Sequence, residues 1–207
     1  STEHAHADEV EVAWQALCAQ NPRYFNGKIL AFNSYDPATG VIHAKAEEYK
    51  FHAVRDVVNT GTSLLSVTAV LAAPDYVRDT GVYLLGKRSP ELHRYGGLWE
   101  FGPCGGIDLP RIGIVSEIAR EILEEIGVKI SNQPSAPRAL VHDDAVGSTD
   151  IAIPIVLDHV PAINTNWEYT QTRWMTLDEL FRWTQSKPHE LIPTTVELTR
   201  FLHENRS

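Results

Sequence analysis

Cysteine is scarce in this chain, since two of its 207 residues, Cys18 and Cys104, carry a thiol. Two cysteines exclude a disulfide framework, and without other ligands they are too few for a zinc site. The sequence does not open with a basic segment followed by an apolar run and a small-residue cleavage site, so nothing marks it for secretion. We therefore expect a cytoplasmic protein.

Long hydrophobic runs and runs of Lys or Arg are also missing. The most apolar uncharged stretch, 57–74, is interrupted by hydroxyl and amide side chains and falls short of the ~20 apolar residues that a membrane span needs. The chain has 18 basic and 27 acidic residues, which gives a net charge of −9. This balance argues against binding to duplex nucleic acid, whereas a small phosphorylated ligand held through a metal ion is compatible with it.

What is present is an α+β pattern, long enough for one core plus an extension. The apolar spacing predicts a helix over 9–20, a hairpin with strands over 28–35 and 41–46, and a further strand over 49–54. Further strands are expected over 64–73, 81–87, 98–101, 139–141, 151–157 and 169–174. Further helices are expected over 114–126, 177–184 and 195–203. Thr176, with Glu179 three residues later, predicts a capping box at the start of the helix over 177–184.

The helix over 114–126 carries the chemically informative residues. At about 100° per residue, Glu117, Glu121, Glu124 and Glu125 share one face. Gly127 follows where a left-handed C-terminal cap belongs. The residues expected to bury the other side against a sheet are Val115, Ile118, Ala119, Ile122, Leu123 and Ile126.

Two interpretations of this acidic face are open. Glutamates four residues apart repel one another by a few tenths of a kcal/mol in an exposed helix. Arg120 can neutralise part of this charge, and a divalent cation could neutralise most of the rest, with Mg²⁺ the ion that best suits carboxylate oxygens. The alternative is a solvated acidic face with ion pairs inside the helix.

A glycine pair, Gly105-Gly106, precedes the helix and would let the backbone approach a ligand closely and turn with positive φ. Gly106, thirteen residues, and then Arg120-Glu121-Ile-Leu-Glu124-Glu125-Ile-Gly127-Val128 resemble the Nudix box. The order of elements over about 61–185 is similar to that of the Nudix domain. The resemblance implies a Nudix α/β/α sandwich over 61–207, with an N-terminal extension of helix and β-hairpin over 1–60.

Two features depart from the family pattern. The first glutamate of the box should fall at position 112, where this chain has Ile112, and Gly102-Pro-Cys104 lengthens the loop before the glycine pair. Glu117 lies on the same face as the other glutamates and could substitute for the missing carboxylate. The substitution at Ile112 also suggests an alternative function, a catalytically silent Nudix-fold sensor of a nucleotide ligand.

The resemblance implies an enzyme that uses Mg²⁺ or Mn²⁺ to hydrolyse a nucleoside diphosphate linked to another group, such as a nucleotide sugar or an ADP-ribose-like compound. By position, Glu121, Glu124 and Glu125 match the family's metal ligands, and Arg120 matches the residue that orients one of them. Gly105 and Gly106 are expected to contact the substrate. For the general base, Glu117 and Glu168 both remain candidates, and a surface carboxylate is the alternative reading of Glu168.

The extension has a shorter likeness of its own. Residues 21–28 are similar to the corresponding stretch in the UDP-glucose diphosphatase branch of the family. In such branches the extension helps to form a homodimer and part of the substrate pocket. A homodimer is therefore one expectation, and a capping subdomain with no role in binding is the other.

Overall fold

The computed structural model describes residues 6–75, 80–110, 113–130 and 134–206. They form two compact units. The first comprises the described parts of Ser1–Ser66, Gly106–Ile112 and His142–Thr149, and the second those of Val67–Gly105, Gly113–Val141 and Asp150–Ser207. The division into an extension over 1–60 and a Nudix domain over 61–207 stays a prediction. Ile112 lies outside the described residues.

The first unit contains helix α1 (Ala7–Gln20), strands β1 (Lys28–Asp36) and β2 (Val41–Glu48), and the short helix α2 (Tyr49–Ala53). β1 and β2 form the predicted antiparallel hairpin. Its turn contains Gly40 with φ 71°, a conformation that glycine adopts without strain. The core of this unit consists of Val10, Trp14, Phe51, Ala53, Val54 and Val58.

The prediction of a strand over 49–54 is wrong, because this segment forms α2. Tyr49, Phe51 and Ala53 alternate with polar residues, which imitates the period of two that marks a strand. Tertiary packing decides the outcome: the helical turn buries Phe51 and Ala53 in the cluster that contains Trp14, and Tyr49 meets the Trp14 ring edge-on at 6.2 Å.

The second unit is a layered arrangement of strands and helices, and chain positions inside β3, β6, β7 and β8 mark the division between the units. Its strands are β3 (Leu64–Asp75), β4 (Thr80–Arg88), β5 (Trp99–Phe101), β6 (Cys104–Gly106), β7 (Ala139–Asp143), β8 (Ser148–Val156) and β9 (Tyr169–Thr176). Its helices are α3 (Ile114–Ile126), α4 (Leu177–Ser186) and α5 (Pro193–Glu204), with a 3₁₀ turn at Pro188–Glu190.

Strand β4 is central to the second unit, because it pairs antiparallel with β3, β5 and β9. One face of this sheet packs against α4 and α5, where Trp99 meets Trp183 edge-on at 5.6 Å. The buried residues of this core are Val70, Leu85, Trp99, Phe101, Ala152, Leu180, Leu191, Val196 and Leu198. The predicted α+β class is thereby confirmed.

The predicted capping box is also confirmed. The Thr176 hydroxyl accepts a hydrogen bond from the Glu179 N–H at 3.2 Å, and the Glu179 carboxylate accepts one from the Thr176 N–H at 2.9 Å. Among the helices that the structure describes, none combines the length and the apolarity required to cross a membrane.

Candidate active site

Helix α3 buries its carboxylates as well as its apolar stripe. Glu117, Glu121 and Glu125 are 2%, 8% and 3% exposed, and they lie beside the buried stripe of Ile118, Ile122 and Ile126. The two stripes follow successive i, i+4 rows, so together they form one wide buried face. The predicted end of the helix is confirmed, since Gly127 caps it in the left-handed conformation at φ 68°.

The predicted apolar face is therefore wrong at two positions. Val115 and Leu123 are 45% and 53% exposed, although they were expected to pack against the sheet. Periodicity alone places the carboxylates on the solvent side, because it assumes that the hydrophobic stripe alone is buried. The buried face is instead rotated toward the glutamates, which is the arrangement expected of a functional cluster.

Arg120 links the glutamates of this helix. Its Nε donates to Glu117 Oε1 at 3.1 Å, and its Nη2 contacts the same oxygen. Nη2 also donates to Glu121 Oε1 at 2.5 Å, and Nη1 donates to Glu124 Oε2 at 2.7 Å. The ion pairs expected inside the helix are thus formed. The acidic face is not solvated, however, because Glu117 and Glu121 are buried. A single guanidinium cannot balance three carboxylates, so the cluster keeps an excess of negative charge.

Burial, more than this excess of charge, shifts the pKa values of Glu121 and Glu125. Burial raises the pKa of Glu121 to about 7, although Arg120 beside it acts in the opposite direction. Burial also raises the pKa of Glu125 well above its usual range, with the charges of Glu168 and Glu121 adding to the effect. The two carboxyl groups lie close enough to influence each other's protonation. They therefore act as a pair that an additional positive charge would stabilise in its ionised form.

Gly105 makes room for the Glu121 carboxylate, and neither residue of the glycine pair forms a turn with positive φ. The Glu121 carboxylate lies directly against Gly105, so that a Cβ at this position would overlap it. Gly106 belongs to the first unit, where it lies against Leu64. The expectation of positive φ is wrong for both residues, because they form the extended strand β6. Close approach, and not a left-handed turn, is what requires glycine at position 105.

The structure brings the Glu168 segment to the end of α3. The N–H groups of Asn164 and Asn166 donate to the carbonyls of Ile126 and Glu125 at 3.0 and 2.9 Å. The Asn166 side chain accepts from the Glu168 N–H at 2.8 Å and donates to Glu168 Oε1 at 3.3 Å. These bonds use carbonyls that the helix end leaves unpaired, and they place Glu168 beside the cluster.

Glu168 is electrostatically part of the cluster. Burial raises its pKa, and the charges of Glu100 and Glu124 act in the same direction, while Asn166 and Arg88 oppose them. Of the predicted site residues, the structure thus groups Glu117, Arg120, Glu121, Glu125 and Glu168 within the second unit. Glu124 lies at the edge, with its side chain 55% exposed.

Sequence reasoning missed a second polar group in the same unit. Glu100 is 1% exposed and binds Arg88 through both oxygens, at 2.7 and 2.9 Å from Nη1. The hydroxyl of Tyr169 donates to Glu100 Oε1 at 2.9 Å. A weak signal was available, because Glu100 stands between two aromatic residues of a predicted strand, and a glutamate that such a strand buries needs a partner.

We tested whether the residues present suit a divalent cation. Among the described residues, no group of three or more His, Cys, Asp or Glu side chains is arranged to hold a metal ion. Arg120 engages the carboxylates instead. The donor set nevertheless fits Mg²⁺ or Mn²⁺, since it consists of carboxylate oxygens, and a cation would favour the ionised forms of Glu121 and Glu125, whose pKa values burial raises.

Comparisons with known proteins were made for sequence and for structure. No family model matches the sequence, and no curated protein matches it significantly. The structure is similar to that of a MutT protein from Methanosarcina mazei Go1, with a TM-score of 0.55 and 22% identity over 70% of this chain and 96% of the other.

Two further similar structures involve ADP-ribose. The Nudix domain of Shewanella oneidensis NrtR, in complex with ADP-ribose, has a TM-score of 0.54 and 20% identity over 76% of this chain and 97% of its own. A bifunctional NMN adenylyltransferase/ADP-ribose pyrophosphatase from Francisella tularensis has a TM-score of 0.54 and 18% identity over 69% of this chain and 41% of its own. At these identities the likeness is one of fold.

Proposed function

We propose that this chain, which has the Nudix fold, is a hydrolase dependent on Mg²⁺ or Mn²⁺. Its substrate is a nucleoside diphosphate linked to another group, such as a nucleotide sugar or an ADP-ribose-like compound. One observation carries the proposal. Glu121 and Glu125 are buried with the Glu121 carboxylate against Gly105, partly exposed Glu168 lies beside them, and the single guanidinium of Arg120 does not balance these carboxylates.

Glu121, Glu124 and Glu125 are the residues that would hold the metal. When bound, the ion would offset charge on the diphosphate and lower the pKa of a water molecule. Arg120 orients Glu121 through the bond at 2.5 Å, and Glu117 in turn holds Arg120 from its other side.

Glu168 is the better candidate for the general base. Glu117 is 2% exposed and its Oε1 already accepts two hydrogen bonds from Arg120, so it has little access to a water molecule. Glu168 is partly exposed, and burial holds its pKa above that of an ordinary glutamate. A raised pKa makes the carboxylate a stronger base toward the attacking water.

The alternative is a ligand sensor without turnover. Arg120 contacts Glu117, Glu121 and Glu124 at once, which would satisfy the helix without any metal. The replacement of the first box glutamate by Ile112 favours the same reading. The two functions differ in what a bound nucleotide does, since a sensor would retain it intact.

A screen of nucleoside diphosphate compounds decides between them. Each compound is incubated with the protein in Mg²⁺, in Mn²⁺ or in chelator, and released phosphorylated products are measured. We expect turnover with metal and none in chelator. Binding without turnover in either metal supports the sensor, and the absence of both binding and turnover contradicts both proposals.

The Glu124→Gln variant tests the metal assignment. We expect it to abolish turnover while the protein stays folded, because the lost Arg120 pair is exposed and contributes only about 0.3–0.5 kcal/mol. Glu197→Gln is the matched control, since Glu197 forms a similar exposed pair with Arg200 on α5 at 2.7 Å. Turnover and thermal melting are measured on the same samples. Unchanged turnover of Glu124→Gln in saturating Mg²⁺ would refute the assignment.

A further inference from the structure

We propose that Glu100 is a positioning residue for Glu168, acting through the hydroxyl of Tyr169. The inference rests on the proposed function, in which Glu168 is the general base. It concerns a group that touches neither substrate nor metal but that determines where Glu168 stands.

Three side chains donate hydrogen bonds to the buried carboxylate of Glu100. Arg88 Nη1 binds both of its oxygens, Tyr169 donates from its hydroxyl at 2.9 Å, and the Cys104 thiol donates at 3.6 Å. Since Glu100 is 1% exposed, its carboxylate depends on these donors rather than on bulk water for hydrogen bonds. A buried carboxylate of this kind is satisfied in one arrangement of its neighbours, so it fixes their relative positions.

The three donors and the Glu100 acceptor lie on four different strands. Arg88 ends β4, Glu100 lies in β5, Cys104 begins β6 and Tyr169 begins β9. Tyr169 is the residue directly after Glu168. Glu100 therefore connects the start of β9 to the neighbouring strands next to Glu168, the candidate base.

Tyr169 is built into the sheet with no room to move. Its ring lies against Gly86 on β4, and its hydroxyl lies against Gly102, so closely that a Cβ at either glycine would overlap it. The two glycines make a slot for the aromatic ring between the strands. A side chain held in this way transmits its position to the adjoining backbone.

The backbone of Glu168, directly before Tyr169, is held by hydrogen bonds at both its carbonyl and its N–H. Its carbonyl accepts a hydrogen bond from the Ser89 N–H at 2.6 Å, and its N–H donates to the Asn166 side chain at 2.8 Å. Asn166 is in turn bonded to the Glu125 carbonyl of α3. These hydrogen bonds and the anchored Tyr169 side chain together set the position of Glu168 relative to the glutamate cluster.

An ion pair such as Arg88–Glu100 is an unusual way to connect buried strands. A buried ion pair contributes little net stability compared with apolar residues of similar volume, because both charges lose their hydration. The Arg88–Glu100 pair instead fixes the relative positions of its strands, because its hydrogen bonds are directional and are satisfied in one geometry. This is the property that a catalytic base requires of its supporting residues.

The test removes the hydroxyl and keeps the ring. In Tyr169→Phe we expect kcat to fall at least tenfold, with KM changed less than twofold. The matched control is Tyr83→Phe on β4, where the same atom is removed from a half-buried tyrosine in the same unit. Hydrogen exchange of the amides in 164–168 is measured on the same proteins. We expect it to accelerate at least fivefold in Tyr169→Phe and to stay unchanged in Tyr83→Phe. Glu100→Gln keeps the shape of the carboxylate and should accelerate the same amides.

The proposal is overturned if kcat falls equally in Tyr169→Phe and Tyr83→Phe, if KM rises in step with the fall in kcat, or if exchange in 164–168 does not accelerate locally. Acceleration of all amides by one factor reports lost global stability and also overturns it. If the wild-type protein hydrolyses no substrate, the proposed function fails. Exchange then decides the positioning role alone: local acceleration supports it and unchanged exchange refutes it.

Discussion

At the scale of single residues, Arg120 is the member of the site whose role the structure changes most. Its guanidinium contacts Glu117, Glu121 and Glu124, so in the proposed metal site it would compete with the ion for the same carboxylates. Glu117 binds the Arg120 guanidinium one turn closer to the N-terminus of α3. Without it, the guanidinium would be free to associate more closely with the metal-ligand candidates.

This competition makes Glu117→Ala informative. We expect the variant to lower turnover by more than tenfold, a cost above about 1.4 kcal/mol in the transition state, because Arg120 loses its buried partner. Ile112→Glu in the same background should restore part of the loss, by returning a carboxylate to the position where the family carries one. The measurement is kcat as a function of Mg²⁺ concentration. If kcat and its Mg²⁺ dependence are unchanged, Glu117 has no supporting role.

Gly105 gives a second test at this scale. Gly105→Ala should push the Glu121 carboxylate out of place and weaken Mg²⁺ binding at least tenfold, with a stability cost of about 1–3 kcal/mol from overpacking. Gly81→Ala is the control, because a Cβ there meets nothing within 4 Å. Mg²⁺ affinity is measured by calorimetry. Equal affinities in the two variants would show that the close approach to Glu121 does not matter for the metal.

At the scale of elements, the capping box of α4 is the feature that sequence predicted most completely. Thr176→Ala removes the hydroxyl that accepts from the Glu179 N–H, and we expect a loss of about 1 kcal/mol. For a chain of this length, that corresponds to a fall of roughly 2–4 °C in Tm. Thr176→Ser keeps the hydroxyl and should melt close to the wild type. Equal melting of the Ala and Ser variants would show that the box does not stabilise the helix.

At the scale of the whole molecule, the uncompensated charge links metal binding to stability. If Mg²⁺ binds the native state alone, 100 times its Kd should stabilise the protein by about 2.7 kcal/mol. Tm should then rise by roughly 5–10 °C in a chain of this length. The measurement is a melting series over Mg²⁺ concentration, with chelator and the Glu124→Gln variant as references. A Tm that does not depend on Mg²⁺ in the wild type would contradict a native metal site.

The homodimer stays a prediction at this scale as well. The described residues comprise one copy of the chain, in which β2 pairs with β1 in the hairpin. Sedimentation of the purified protein would establish whether the extension joins two copies or only covers its own unit.

The sequence by itself determined the elements whose signals are local. Helix α3 and its Gly127 cap, the Thr176–Glu179 box and the β1–β2 hairpin each depend on residues a few positions apart, and each was predicted. The glutamates of α3 were recognised as a cluster for the same reason, because helical spacing brings them together without help from the rest of the fold.

Only the tertiary structure decided which of these residues are buried and what they meet. The exposure of Val115 and Leu123, the helix at Tyr49–Ala53 and the contact of Glu121 with Gly105 follow from packing between distant segments. The Glu100–Tyr169 bond joins residues far apart in the chain, so no local pattern could indicate it. Periodicity reports which side of an element is apolar, whereas the charge left uncompensated in a site depends on every segment that surrounds it.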